Sequence, residues 1–208
     1  MEYRQETQLI TQSDCYRAGK TIRPTGIMVH STGVAQPDPQ VFIKSWNQPG
    51  KDACAHAVVS RDKVIQTLPW TMRGWHAGKG EKGSANNTHI SFECCEPAGH
   101  TYQGGTMVGY DVKKNEAYFQ AVYQNAVALC ADLCRFASRI DKLPSSDIQS
   151  EFGANFADEK QTAFTGTAGS KSKQVKGTGL LRLPRSGSQR TAMPTASGFY
   201  GSFCCGKP

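Results

Sequence analysis

No histidine follows His100 in this 208-residue chain. Residues 140 to 208 therefore offer no imidazole to a metal or to proton transfer, and any such site must draw on His30, His56, His76, His89 and His100. No apolar run approaches the roughly 20 residues that span a bilayer, which excludes a transmembrane helix. The polar start, Met1 to Thr11 with Glu2, Arg4 and Glu6, has no apolar stretch of the kind found in a secretory signal. Synthesis in the cytoplasm without a signal peptide is expected, so action outside would need release by another agent. No Cys-x-x-Cys pair occurs among the eight cysteines, which argues against a zinc knuckle. Cys94 and Cys95 are adjacent, and Cys130 and Cys134 sit one helical turn apart in an apolar stripe, where a thiol behaves as a small hydrophobe. Reduced thiols are expected throughout.

What is present is a basic balance: 24 Lys and Arg against 17 Asp and Glu, net +7, with a pI near 9.0. Such a balance suits anionic partners as well as simple solubility. The chain carries no basic recognition helix or stacking platform, so no nucleic-acid partner is expected, nor a membrane, and a monomer is expected.

The segment Gly26 to His30 is a short apolar run stopped by Ser31-Thr32-Gly33, which reads as a buried strand and a turn. Asp38 can cap a helix whose first turn takes Pro39 and whose face carries Val41, Phe42, Ser45 and Trp46. Ala53 to Ser60 and Val64 to Leu68, split by Arg61-Asp62-Lys63, read as a hairpin. Trp75 to Asn87 is glycine-rich and reads as a long surface loop, followed by a strand from His89 to Glu93. From Asn115 to Ser138 apolar residues recur at i, i+3, i+4 and i+7, which predicts a long helix laid on a sheet, with Asn115 as its N-cap. The fold class expected is α/β, a central mixed sheet flanked by helices. After Leu143-Pro144 apolar residues become sparse, apart from Leu180, Leu181 and Leu183. A domain over 1–143 and a poorly structured tail over 144–208 are expected.

Four residues can carry chemistry. His30 ends a strand before a turn, where a neutral imidazole can bind zinc or serve as a hydrogen-bonded structural group. Glu93 ends another strand, where a carboxylate can take a proton from water or simply pair with a cation. Trp75 and His76 share the glycine-rich loop, placed to contact a sugar or peptide or to anchor the loop in the core. His56, between Ala55 and Ala57, reads as structural. His89 shares a strand face with Glu93, and His100, in a Gly-rich turn, is expected to face solvent.

Gly26-Ile27-Met28-Val29-His30-Ser31-Thr32-Gly33, Cys54-Ala55-His56-Ala57-Val58, Gln66-Thr67-Leu68-Pro69-Trp70, Met72-Arg73-Gly74-Trp75-His76-Ala77-Gly78 and Asn86-Asn87-Thr88-His89-Ile90-Ser91-Phe92-Glu93 follow one another in that order. Together they resemble the type 2 N-acetylmuramoyl-L-alanine amidases, a family of phage endolysins, bacterial wall amidases and peptidoglycan recognition proteins. The likeness covers roughly residues 8 to 140. It implies one Zn2+ and hydrolysis of the amide between N-acetylmuramic acid and L-alanine in peptidoglycan. His30 would be a metal ligand and Glu93 the catalytic acid or base, with Trp75 and His76 bordering a cleft that takes a muramyl peptide. A Tyr found in some relatives before the position of His56 is here Ala55, so its role does not transfer.

The resemblance also implies further metal ligands after the long helix. Residues 141 to 208 hold no His, and Asp147, Glu151, Asp158, Glu159, Cys204 and Cys205 stand in no matching context. Two functional readings follow: a zinc amidase, or a module that holds peptidoglycan with an incomplete zinc site. A shift of reading frame near codon 143 would account for the change of composition, as would a divergent tail. Without the missing segment, a less covered sheet edge and reduced stability are expected.

Overall fold

The computed structural model of the chain describes residues 3–81, 83–142 and 179–182. In chain order the elements are β1 (Gln5–Thr7), α1 (Asp14–Arg17), β2 (Gly26–Ser31), α2 (Pro39–Trp46), β3 (Ala57–Val59), β4 (Val64–Gln66), β5 (His89–Cys94), β6 (Thr101–Gln103), β7 (Thr106–Val108), α3 (Val112–Ile140) and β8 (Gly179–Arg182). Six strands form one mixed sheet in the order β1-β4-β3-β5-β2-β8, and β6 and β7 form a separate hairpin. β5 runs parallel to both β3 and β2, and β1 to β4, while the β3–β4 and β2–β8 pairs are antiparallel.

Side chains alternate across the sheet, so each strand feeds two cores. Ile27, Val29, Ala57, Val59, Ile90 and Phe92 pack with Tyr118, Val122, Ala126, Leu129, Leu133 and Phe136 of α3. On the other face Val58, Ile65 and Cys95 pack with Ile10, Cys15, Ile43, Trp46 and Leu68, under α1 and α2. The result is three layers, α3 on one side and the two shorter helices on the other. Burying a leucine such as Leu129 contributes roughly 1.5–3 kcal/mol, so the α3 stripe is what ties the long helix down. The mixed α/β sheet flanked by helices is the architecture expected from the sequence.

Helix boundaries follow capping chemistry. Asp38 caps α2 by accepting from the Gln40 amide at 2.9 Å, as expected. The start of α3 differs: Asp111, not Asn115, is the N-cap, accepting from the Lys114 amide at 3.0 Å. The first turn, Val112 to Lys114, is exposed and gives no apolar period, which hides it in the sequence; Asn115 instead donates to the Asp111 carbonyl at 2.9 Å.

Two expectations need correction. Reduced thiols are contradicted at Cys15 and Cys54, which form a disulfide across 39 residues with their Cα atoms 6.8 Å apart. Both are wholly buried in the α1/α2 core, and Cys54 is held there by an isolated bridge to Trp75. Spacing along the chain could not show that approach. Cys94, Cys95, Cys130 and Cys134 are free thiols, as expected. The reading of 144–208 as a poorly structured tail lies outside the described residues except at Gly179–Arg182, which pair antiparallel with Gly26 to Val29. A four-residue strand with one neighbour is held by backbone bonds and needs no apolar period, and it covers β2 where a barer edge was expected.

Candidate active site

The site is built where β2 and β5 end. Their parallel register sets Ile27 against Ile90, Val29 against Phe92, and His30 against Glu93. Directly opposed residues share a face, so His30 and Glu93 lie together on the side away from α3. Their neighbour in β3 is Val58, opposite Glu93. Two residues 63 positions apart are thus brought side by side by strand pairing alone.

His76 joins them from the glycine-rich loop, its Nδ1 3.2 Å from the His30 Nε2. The loop is pinned at this point by Asn86. Its Oδ1 accepts from the amides of His76 at 2.8 Å and Ala77 at 2.9 Å, and its Nδ2 donates to the Ala77 carbonyl at 2.9 Å. Asn86 is itself held in a short 3-10 turn, Ala85–Asn87, capped by Ser84. Gly74 passes so close beneath the imidazoles that a Cβ there would meet His56 Cε1 at 3.0 Å and His76 Cδ2 at 3.1 Å. A side chain at 74 would require both rings to give by a few tenths of an ångström.

His56 is structural, as read from the sequence. Its Nε2 donates to the Met72 carbonyl at 2.7 Å and its Nδ1 accepts from the Ser91 amide at 3.2 Å, which fixes one tautomer. Trp75 is half-buried against the α1/α2 core and bridged to Cys54. His89 stands at the start of β5, its Nδ1 2.8 Å from the Thr88 hydroxyl.

Burial sets the protonation of this group. It pushes His30 down to about 4 and His56 down to about 4. It holds His76 well below the ordinary imidazole value, helped by repulsion from His30, His56 and His89. The three rings are therefore neutral at pH 7, and the His30–His76 contact is a hydrogen bond between neutral rings. Burial first, and then the charge of Glu96, push the Glu93 carboxyl well above the usual carboxylate range. Among the described residues Glu93 Oε2 and His76 Nε2 are buried with no hydrogen-bond partner. Unpaired buried polar atoms of this kind are costly to keep and are expected where a substrate or water must be met.

As a test of zinc binding, His30 and His76 supply neutral imidazole nitrogens. Yet among the described residues no group of three His, Cys, Asp or Glu side chains is placed to hold a metal ion. Catalytic zinc takes three protein ligands, so these residues alone do not complete a zinc site.

Sequence reasoning missed Glu96. The residue is 1% exposed, and its side chain meets four donors. Oε1 accepts from the Ser31 hydroxyl, from the Gly33 amide at 2.9 Å and from the Tyr102 hydroxyl at 2.8 Å. Oε2 accepts from His100 Nε2 at 2.8 Å. His100 is accordingly buried, not solvent-facing as expected: its turn folds back on the sheet, and the ring packs edge-on against Tyr102 and Tyr110. The only hint in the sequence was a second acid three residues after Glu93, followed by His100 at i+4.

Fold and site together define a mixed α/β domain whose candidate catalytic groups stand at the ends of two adjacent parallel strands. The N-acetylmuramoyl-L-alanine amidase family matches residues 20–154, and the chain belongs to that family. It is 31% identical over 99 residues to the N-acetylmuramoyl-L-alanine amidase CwlH of Bacillus subtilis (strain 168), a match covering 47% of this chain and 40% of CwlH. It is 33% identical over 84 residues to the N-acetylmuramoyl-L-alanine amidase XlyA of the same organism, covering 39% of this chain and 28% of XlyA. The chain thus spans less than half the length of these relatives. Among solved structures it is similar to a mutant endolysin from Bacillus subtilis, at 29% identity and TM-score 0.42, covering 47% of this chain and 64% of that one. It is also similar to PlyL, at 22% identity and TM-score 0.48, covering 74% and 86%.

Proposed function

We propose that this domain hydrolyses the amide between the lactyl group of N-acetylmuramic acid and L-alanine in peptidoglycan. The reading rests on family membership, and the observation that carries it is the pairing, in one strand register, of His30 with a buried Glu93 whose Oε2 has no partner. Glu93 is the proton carrier. It takes a proton from the attacking water as the oxygen bonds to the carbonyl carbon, and returns that proton to the nitrogen as the C–N bond breaks. The products are the lactyl carboxylic acid and the free amino group of L-alanine. His76 lends its free Nε2 to the substrate, and Trp75 holds the loop that borders it.

Zinc dependence belongs to the same proposal, with His30 as one ligand. The described residues offer no complete donor set for it.

Incubation of purified cell walls with the protein tests the reading. New alanine amino groups are expected alongside loss of turbidity, with activity removed by a chelator and restored by zinc. Release of reducing sugar instead of amino groups would sink it. So would binding to the walls with no new amino groups at any zinc concentration, which would favour a module that holds peptidoglycan.

A further inference from the structure

Glu93 and Glu96 are both buried and lie three residues apart, yet their surroundings are opposite. Glu93 keeps an unpartnered oxygen, whereas both Glu96 oxygens are engaged by four donors. Those donors come from two places that share no backbone pairing. Ser31 closes β2 directly after His30, and Gly33 stands in the turn that follows it. Tyr102 lies in β6 and His100 just before it, so both belong to the β6–β7 hairpin side, which is separate from the main sheet. Glu96 itself follows β5, the strand carrying Glu93. One carboxylate is therefore the meeting point of the turn behind His30, the strand of Glu93 and the separate hairpin.

Ser31 is held in the ladder against Cys94, and the ladder ends there. Gly33 sits at φ 68, a left-handed conformation, and the Thr32 amide bonds to the Cys94 carbonyl at 3.1 Å. The Gly33 amide looks to Glu96. Charge-assisted bonds to a buried carboxylate are among the stronger hydrogen bonds, and four on one group fix geometry in a way a single contact cannot.

We propose that Glu96 is a positioning residue. It clamps the Ser31–Gly33 turn and the β6–β7 hairpin onto the end of β5, and so sets where His30 and Glu93 stand relative to a bound muramyl peptide. The clamp is a statement about structure; its catalytic consequence rests on the amidase reading. The two are separable by measuring backbone exchange as well as turnover.

Amide hydrogen exchange of the full chain is compared with that of Glu96→Gln, which keeps the shape and loses the charge, and of His100→Gln, which can still donate. In Glu96→Gln the Gly33 amide and the amides of residues 101–108 are expected to exchange at least tenfold faster, while Val58 and Ile65 in the sheet centre do not change. His100→Gln is expected to stay close to the parent. Unchanged exchange at Gly33, or a uniform rise that includes Val58 and Ile65, would overturn the clamp. On muramyl-L-alanine substrate, Glu96→Gln is expected to lower kcat at least tenfold with KM moving less than threefold, since small misplacements of reacting groups are costly in rate. Altered exchange with unchanged kcat would overturn the positioning role. A parent protein with no amidase activity would sink the amidase reading and leave exchange to decide the clamp.

Discussion

His76 Nδ1 lies 3.2 Å from His30 Nε2, although the two residues are 46 positions apart and on different elements. Both rings are held neutral by burial, so they share one hydrogen bond without repulsion. Whichever ring donates, His76 Nε2 is left over, and Glu93 Oε2 is likewise unpartnered in the same neighbourhood. The site thus leaves two buried polar atoms, one on each of these side chains, with unspent hydrogen-bonding capacity.

Glu93→Gln is expected to remove activity while leaving the fold intact. The amide keeps the shape of the side chain, one oxygen of which has no partner, but cannot take up and return a proton. Removing a proton carrier of this type costs about 10²–10⁴ in rate. The check is kcat on muramyl-L-alanine substrate together with a thermal melt. A variant that keeps parent activity would show that Glu93 is not the proton carrier.

Asn86→Ala is expected to loosen the loop bearing Trp75 and His76. Two amides lose their acceptor, and each buried donor left unpaired costs about 1–3 kcal/mol. Asn86→Asp keeps the acceptor and loses the bond to the Ala77 carbonyl, so it should recover part of the loss. Melting temperature and KM report the two effects. Equal stability of the parent and the alanine variant would show that the brace is not needed.

Much of this arrangement was legible in the sequence, and the reasons for the rest are physical. Strands β2 and β5 announce themselves as short apolar runs ending in a polar residue, and α3 as a long apolar stripe, so the sheet and the helix follow from local pattern, while the joint role of His30 and Glu93 came only from the family resemblance. The approach of His76 to His30 does not follow, because it depends on a side-chain brace from Asn86 that has no periodic signature. Glu96 stood out by no pattern, and His100 read as solvent-facing. Their burial arises only when the β6–β7 hairpin folds back. The Cys15–Cys54 pair was hidden for the same reason, since it joins α1 to the segment before β3 through tertiary packing.

That disulfide gives a stability prediction. Closing a loop of 39 residues restricts the unfolded chain by about 4 kcal/mol on the chain-entropy view. Reduction, or Cys15→Ser with Cys54→Ser, is expected to lower the melting temperature. Thiol titration in denaturant should count two fewer thiols before reduction than after. Equal counts would show that the bond does not form in the protein as prepared.

His56 makes stability depend on pH with a defined sign. Its folded value is about 4, against 6.5 for a free imidazole, because burial penalises the charged ring. Between these two values the unfolded chain binds a proton that the folded chain refuses, so stability falls as pH drops from about 6.5 to about 4 and is fully present above 6.5. The penalty is on the order of 3 kcal/mol. Glu93 works in the opposite sense, since its folded value is raised and protonation favours the fold as pH drops. The net slope of the parent alone is therefore not diagnostic, and the difference between the parent and His56→Gln is. The variant loses the fixed bonds to Met72 and Ser91, so it is expected to be less stable at pH 7. Its deficit should shrink as pH falls to 4.5, because it carries no ring for the unfolded chain to protonate. Denaturant midpoints at pH 7, 5.5 and 4.5 measure this, and a deficit that stays constant across the range would show that His56 is not the group buried as a neutral ring.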